Sequence, residues 1–292
     1  MTSAQYERMW SRGSRTRGIL AMTHPTGVLV FGASVPLLCL LAQRSAFDPG
    51  LCLCLMLAVM SAQAASGVMN DVLDLDLDRA AKPWRALPAG LISVRRGWAF
   101  AASLLAVGII SSALASALSC LLLVLGVAAS ALYSAGIKRT PISWLPYLVA
   151  YPSLPVWVWI STGEFRTPIL AVYWIGAPLV LAIHMVNQLR DFEADERLGA
   201  RGLVQVLGKT RAVAGCCALI AVAPIPPLLA GLRSPATSLL WATAGAALVH
   251  WSLLLPMISR PDIHQDVVSF RRMFRALQLS GPLLLFAWLL QV

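Results

Sequence analysis

The stretch MNDVLDLDLDRAAKPWRALPAG, residues 69–90, places four aspartates within eight residues at the end of an apolar run, and cations follow them. If the stretch is helical, Asp71, Asp74 and Asp78 recur at i, i+3 and i+7 on one face, whereas Asp76 points roughly 140° away. Like charges on one helix face repel each other unless a cation lies among them. The stretch therefore predicts a cation-binding site at the end of an otherwise apolar helix.

The rest of the chain has the composition of a polytopic membrane protein. Of its 292 residues, 58% are hydrophobic and 12% are charged, and its mean hydropathy is +0.74. We predict an all-α integral membrane protein in which a basic cytoplasmic arm, residues 1–22, precedes nine transmembrane helices within a single domain, 1–292. The nine apolar runs lie at 26–43, 50–70, 97–117, 119–136, 144–162, 168–187, 212–232, 236–257 and 274–291.

The charged residues are distributed unequally between the two sides of these runs. Of the 23 lysines and arginines, 20 lie on the side of the N-terminus, and only Arg44, Arg166 and Arg233 lie on the other side. Because cations mark cytoplasmic connections, we expect the N-terminus and both acidic motifs to be cytoplasmic, in a bacterial cell membrane. This topology accounts for the net charge of +10, and without a basic stripe interleaved with aromatics we expect no nucleic-acid partner.

A second acidic motif, NQLRDFEADERLGAR at 187–201, follows the sixth apolar run. In a helix, Asn187, Asp191 and Asp195 recur at i, i+4 and i+8 along one stripe, while Glu193 and Glu196 point elsewhere. The two motifs end the second and sixth helices, four helices apart. We therefore predict two pseudo-repeated four-helix units, with the ninth helix appended.

These side chains have the chemistry of a magnesium site. Mg²⁺ prefers oxygen ligands and is usually held by a few carboxylates together with substrate phosphates. We predict that five carboxylates hold Mg²⁺ against a diphosphate: Asp71, Asp74, Asp78, Asp191 and Asp195. Cations that follow each motif would contact the phosphate oxygens: Arg79, Lys82, Arg85, Arg197 and Arg201. The alternative is that the acids are solvated loop charges, which two matched motifs on one side disfavour.

The motifs resemble those of the UbiA superfamily of intramembrane prenyltransferases. Asn70, Asp71, Asp74 and Asp78 match the family's NDxxDxxxD, and Asp191 and Asp195 match its DxxxD. The segments KPWRALPAG (82–90) and LYSAGIKR (132–139) resemble the family's basic segment and its YSxxxKR element. Two positions depart from the pattern, because Gln188 stands where many members have a further Asp and Gly202 where many have Thr. Nine helices is also the family's number, so the resemblance covers nearly the whole chain.

The resemblance implies Mg²⁺-dependent transfer of an isoprenyl group from an isoprenyl diphosphate to a hydrophobic or aromatic acceptor within the lipid bilayer. Cations would neutralise the departing diphosphate, and a dry pocket would shield the allylic cation left behind. The resemblance assigns diphosphate binding to Asn70, Lys82, Arg85, Tyr133, Lys138, Asn187 and Arg201. Aromatic side chains that would line the pocket are Tyr147, Tyr151, Trp157 and Trp159, and His184 is a candidate base or pocket donor.

Two other functions remain open on the sequence alone. A terpene cyclase would share the ionisation step but capture the cation with a double bond of the same isoprenyl chain. A cation-coupled transporter would place its acids near the bilayer midplane at broken helices, whereas these acids lie at helix ends. The acceptor is open as well: a quinone-type aromatic acid, a glycerol phosphate lipid, a porphyrin-derived alcohol or a secondary-metabolite aromatic. The KPWRALPAG segment is slightly closer to the lipid-ether and chlorophyll-type branches.

Overall fold

A computed structural model of the chain describes residues 12–197, 199–234, 236–255 and 267–291. Every regular element in these ranges is an α-helix or a short 3-10 turn, and no strand occurs among them. The predicted all-α class is confirmed. The chain divides into two compact units: unit 1 comprises the residues up to Gly136 together with Ile160–Glu164, and unit 2 comprises Ile137–Trp159 and the residues from Phe165 onward.

Unit 1 is built around one central helix, which carries the first acidic motif. Its helices are α1 (Arg12–Ala21), α2 (Pro25–Gln43), α3 (Pro49–Leu73), α4 (Leu75–Ala81), α5 (Val94–Ala113) and α6 (Ala117–Ala135). The central helix α3 packs against α2, α5 and α6. Gly108 of α5 allows part of this packing, because a Cβ there would lie 3.2 Å from the Ala58 carbonyl oxygen of α3.

Local sequence signals fix where these helices begin. The Asp48 carboxylate accepts from the Gly50 and Leu51 N–H groups at 2.8 and 3.1 Å, and Pro49 occupies the first position of α3. The hydroxyls of Ser93 and Ser116 cap α5 and α6 in the same way. Such caps satisfy N–H groups that have no partner within the helix, and proline is preorganised for its first turn. Asp48 and Pro49 therefore fix the residue at which α3 begins, and with it the face of the helix on which each residue of the motif lies.

Unit 2 is also built around one central helix, which carries the second acidic motif. Its helices are α7 (Leu145–Ser161, whose last two residues belong to unit 1), α8 (Val172–Ile175), α9 (Ala177–Arg197), α10 (Leu203–Leu207), α11 (Lys209–Val222), α12 (Ile225–Arg233), α13 (Thr237–Trp251) and α14 (Val267–Leu289). The helix α9 carries the second motif and packs against α10, α11 and α14. Its buried face, with Ile183, Val186 and Leu189, forms the core of the unit.

The membrane-spanning character of the chain is supported by six helical stretches that are long and apolar enough to cross a bilayer, among the described residues. They are Pro25–Ala46, Pro49–Leu73, Val94–Ala113, Ala117–Ala135, Lys209–Arg233 and Thr237–Leu254. A seventh results if Thr167–Ile175 and Ala177–Glu193, which meet at an angle of 41°, form one span. The other two predicted spans coincide with α7, which has 17 residues, and with α14, which begins with an arginine-rich half. The structure thus supports six or seven of the nine predicted spans.

Candidate active site

The first motif occupies the last turn of α3, Asp74 and the short helix α4. The sequence pattern assumes one helix, but α3 ends at Leu73, and Asp74 has φ −90° and ψ 5°. Hydrogen bonds from Asp74 N to Asn70 O and from Asp78 N to Asp74 O, 2.9 and 2.8 Å, continue the i to i−4 pattern across this break. The residue spacing therefore survives: Asp71, Asp74 and Asp78 are at most 9% exposed, whereas the Asp76 side chain is 93% exposed.

Arg85 bridges two of the buried carboxylates. Its Nη1 donates to Asp71 Oδ1 at 2.8 Å and to Asp78 Oδ2 at 2.7 Å. The segment after α4 makes this contact possible because it folds into a compact turn, in which Ala89 N donates to Arg85 O and Leu91 N to Ala86 O, both at 2.9 Å. Ala86 is buried below this turn. The basic segment 82–90 thus places Arg85 against the first acidic motif.

Nearby positive charge compensates the burial of Asp78 only in part. Burial raises the pKa of Asp78 above its ordinary value, and the neighbouring Arg85 and Lys82 offset only part of that rise. Lys82 is the more distant of the two, with its Nζ 4.0 Å from Asp78 Oδ1. For Arg85, burial lowers the pKa, but Asp71 and Asp78 raise it by more, so the guanidinium stays charged. The two cations therefore fall short of offsetting the effect of burial on the pKa of Asp78.

This incomplete compensation and the donor atoms fit a divalent cation. Within the described part of the chain, no three His, Cys, Asp or Glu side chains are grouped closely enough to complete a metal site by themselves. Mg²⁺ does not require such a set, because it keeps several waters and uses one or two carboxylates plus substrate phosphates. Asp71 and Asp78 converge on Arg85 Nη1, and their carboxylates offer the hard oxygen ligands that Mg²⁺ prefers.

His24 also contacts the first motif, and the sequence gives no signal for it. Its Nε2 lies 2.9 Å from Asp71 Oδ1, the same oxygen that accepts from Arg85. His24 precedes the first residue of α2 and has φ 52°, a left-handed backbone conformation that is uncommon outside glycine. Gly67, one turn before Asp71, permits this approach, since a Cβ there would lie 2.9 Å from the Met22 carbonyl oxygen. The segment that precedes α2 is thereby held against the motif.

Asn70 is held by a second residue that the sequence reasoning did not select. The hydroxyl of Ser134, a buried residue of α6, donates to Asn70 Oδ1 at 3.0 Å. Ser134 is the serine of the LYSAGIKR element, so the signal was in the sequence but was attached to the neighbouring Tyr133. Tyr133 itself is half-buried in α6. The LYSAGIKR element therefore contacts the first motif through the Ser134 hydroxyl.

The second motif lies in the last turns of α9, within unit 2. Asn187, Asp191 and Asp195 are half-buried, whereas Glu193 and Glu196 are exposed, as the predicted stripe requires. Asp191 Oδ2 accepts from Arg190 Nη2 at 2.7 Å. The exposed Glu193 pairs instead with Lys209 at the start of α11. In the same stripe, Asn187 Nδ2 donates to the Tyr147 hydroxyl at 3.3 Å.

Of the remaining predicted residues of unit 2, the four aromatic ones lie in α7 and His184 lies in α9. The Tyr147 ring stacks on Tyr151 and packs against His184, with centroids 5.3 and 4.7 Å apart. His184 is fully buried, and its Nε2 lies 3.1 Å from the Ser143 hydroxyl, so it belongs to the interior of the unit. Trp157 and Trp159 are buried in α7.

Lys138 and Arg201 lie in neighbouring segments of unit 2. Lys138 belongs to the 3-10 turn Ile137–Arg139. Arg201 has an exposed side chain, and its N–H donates to the Arg139 carbonyl at 2.9 Å. This backbone contact brings the two cation-bearing segments together.

Comparisons with known proteins identify this arrangement. The family model described as the UbiA prenyltransferase family matches residues 28–277. The digeranylgeranylglyceryl phosphate synthase of Methanoculleus marisnigri is 30% identical over 211 residues, which is 70% of this chain and 74% of that protein.

Solved structures show the same fold. A UbiA homologue from Aeropyrum pernix K1 superposes with a TM-score of 0.70 at 21% identity, covering 88% of this chain and 95% of that one. A UbiA homologue from Archaeoglobus fulgidus bound to GPP and Mg²⁺ gives a TM-score of 0.67 at 17% identity, covering 90% and 98%. The predicted resemblance and the predicted enzyme class are both confirmed. With most of its length matched, the chain belongs to the UbiA prenyltransferase family and is an intramembrane prenyltransferase.

Proposed function

We propose that this enzyme transfers an isoprenyl group from an isoprenyl diphosphate to the hydroxyl of a glyceryl phosphate lipid. The observation that carries the proposal is the pair of buried carboxylates, Asp71 and Asp78, which converge on Arg85 Nη1 at 2.8 and 2.7 Å. Such a site favours an added cation, and with it the anionic diphosphate. The acceptor class follows from the relative in Methanoculleus marisnigri, whose name describes a product with two geranylgeranyl groups on a glyceryl phosphate.

The metal in this proposal is Mg²⁺, and the carboxylates of each motif would hold it. Asp71, Asp74, Asp78, Asp191 and Asp195 are its ligands in our assignment, assisted by the Asn70 and Asn187 amides. When bound, Mg²⁺ supplies neutralisation of the charge that develops on the departing diphosphate. The fit of the first motif to such an ion is supported by its buried carboxylate oxygens and by the incomplete compensation of Asp78.

The cationic and hydroxyl side chains bind the diphosphate. Lys82, Arg85, Tyr133, Lys138 and Arg201 take this role in our proposal. During transfer, the bond between the allylic carbon and the diphosphate oxygen breaks with its electron pair leaving on the diphosphate. The acceptor oxygen then forms an ether bond to that carbon, and its proton passes to the departing diphosphate. Buried side chains exclude water from this step, which would otherwise hydrolyse the allylic cation to the alcohol.

We propose further that residues 1–292 form one transmembrane domain of nine helices in two pseudo-repeated units, with the N-terminus in the cytoplasm of a bacterial cell. In support, α3 and α9 are each the central helix of their own unit, and each ends in an acidic motif. Single cysteines at positions 46, 165 and 234 of a cysteine-free variant test the orientation. In intact cells they should react with an impermeant thiol reagent, whereas cysteines within 86–92 should not; the reverse pattern would invert the orientation.

The proposed reaction is tested with protein purified in detergent, Mg²⁺, and geranyl, farnesyl or geranylgeranyl diphosphate. Each donor is supplied with a glyceryl phosphate that bears one geranylgeranyl ether, with 4-hydroxybenzoate, or with no acceptor, and the apolar extract is analysed by mass spectrometry. We expect a second ether on the lipid and only slow release of linear alcohol without acceptor. A prenylated aromatic acid would overturn the lipid acceptor. A cyclic hydrocarbon formed rapidly without acceptor would replace transfer by terpene cyclisation.

A further inference from the structure

The two positions at which this chain departs from the family pattern are in direct contact. A Cβ built on Gly202 would lie 2.3 Å from Gln188 Nε2 and 2.7 Å from Gln205 Oε1. Gly202 has φ −63° and ψ 173°, a conformation that any residue adopts, so the backbone does not require glycine there. A larger residue is disfavoured there because the buried Gln188 side chain occupies the space. A threonine at position 202 would compete with the Gln188 side chain for the same volume.

Gln188 uses that volume to connect α9 to two other segments. Its Nε2 donates to the Ser143 hydroxyl at 3.1 Å and to the Lys138 carbonyl at 3.4 Å. Its Oε1 accepts from the N–H of Val204, in the first turn of α10, at 3.1 Å. The residue is 5% exposed, so these bonds are made away from solvent, where an unmade hydrogen bond is costly.

Ser143 extends the same connection. Its hydroxyl is fully buried and accepts from Leu203 N at 3.4 Å, next to the bond that Gln188 makes to Val204. The segment with Lys138 and the segment with Arg201 are therefore both fastened to α9, three residues before Asp191.

We propose that Gln188 is a positioning residue for diphosphate binding, which holds the segments of Lys138 and Arg201 against the second motif, and that Gly202 is the residue that leaves it room. The inference rests on the proposed function in one respect, that these two cations bind the diphosphate. An aspartate at 188 cannot replace the amide, because an ionised carboxylate only accepts hydrogen bonds and cannot donate to the Lys138 carbonyl. Gln188 and Gly202 are thus a matched pair.

A double-mutant cycle tests the pairing. Gly202→Ala should displace the Gln188 amide and raise the KM for isoprenyl diphosphate by roughly five- to tenfold, the equivalent of about one lost hydrogen bond. The kcat should change less than twofold, since the metal ligands are untouched. Gln188→Ala alone should raise the KM by a similar factor. Adding Gly202→Ala to Gln188→Ala should change it no further, because the clashing side chain is gone.

Two controls separate this contact from its surroundings. Gly202→Ala combined with Gln205→Ala relieves only the other close contact and should keep the raised KM. Gly245→Ala, on a helix of the same unit where a Cβ meets nothing within 4 Å, should behave like the wild type.

A lowered kcat with unchanged KM would make the pair purely structural and overturn the positioning role, as would additive effects in the cycle. If the wild-type enzyme transfers no isoprenyl group, the proposed function fails. The same double-mutant cycle is then measured as melting temperatures. Additive changes in melting temperature for Gly202→Ala and Gln188→Ala would refute the coupling between these two residues.

Discussion

Removing Arg85 gives the sharpest test of how the first motif is held together. In Arg85→Met, Asp71 and Asp78 lose a guanidinium that donates to them at 2.8 and 2.7 Å. Truncating one partner of a fully buried charge pair costs about 3–5 kcal/mol. The Arg85 side chain is 29% exposed, and His24 and Lys82 remain nearby. We therefore expect the lower end, a loss of about 3 kcal/mol.

Thermal unfolding in detergent measures this loss. At roughly 2–4 °C per kcal/mol, Arg85→Met should melt about 6–12 °C below the wild type when Mg²⁺ is chelated. Adding Mg²⁺ should raise the melting temperature of the variant by more than that of the wild type, because the ion supplies positive charge that the variant lacks. Arg79→Met is the matched control. Its partner Asp76 is exposed, at 3.0 Å, and such surface pairs contribute about 0–1 kcal/mol.

The loss of stability in Arg85→Met should also depend on pH. Burial already raises the pKa of Asp78, and removing Arg85 takes away the strongest influence that lowers it. A carboxyl whose pKa is higher in the folded than in the unfolded state binds more protons when folded, so stability rises as pH falls through that window. The difference in melting temperature between Arg85→Met and the wild type should therefore become smaller at acidic pH. Equal melting temperatures of the variant and the wild type in chelator, at neutral pH, would refute the bridged carboxylate pair.

Three further predictions concern turnover, backbone strain and metal dependence. Asp71→Ala and Asp191→Ala should each lose nearly all turnover in the isoprenyl-transfer assay, whereas Asp76→Ala should keep most of it; equal losses would contradict the assignment by helix face. His24→Ala should be less stable than His24→Gly by about 1 kcal/mol in thermal unfolding, because only glycine adopts the left-handed backbone at no cost; the opposite order would show that this backbone is not retained. Chelation by EDTA should abolish transfer and added Mg²⁺ should restore it, and activity that persists in EDTA would exclude a metal requirement.

The sequence was sufficient for features that depend on local periodicity. Helical spacing separated the buried Asp71, Asp74 and Asp78 from the exposed Asp76, and the same rule separated Asp191 from the exposed Glu193. These results follow from the angle of about 100° between successive residues in a helix, which a short break with continued hydrogen bonds does not erase.

Contacts between distant segments could not be predicted in this way. His24 reaches Asp71 across 47 residues and Ser134 reaches Asn70 across 64, and neither donor carries a pattern that names its partner. The interruption at Asp74 was missed for another reason, since no proline or glycine marks it. The contact between Gln188 and Gly202 shows the intermediate case: the family pattern singled out both positions, but only the structure shows that they share one volume.

The placement of both motifs is unfavourable in the absence of ligand, and this is what suits them to their task. Asp71 lies in the last turn of α3, and Asp191 and Asp195 lie in the last turns of α9. The carboxyl end of a helix carries partial negative charge, which disfavours carboxylates there. Arg85 and Arg190 offset part of this repulsion through short hydrogen bonds to Asp71 and Asp191.

Because α3 and α9 each pack against several helices of their own unit, separating the carboxylates of one motif by a backbone movement would disturb that packing. The remaining electrostatic cost is relieved only when positive charge arrives. We therefore expect each motif to favour a divalent cation, because the ion would relieve this cost, which is the pattern expected where local preferences are broken for function. At Asp78 burial adds to this cost, because it raises the pKa of the carboxyl by more than the neighbouring Arg85 and Lys82 lower it.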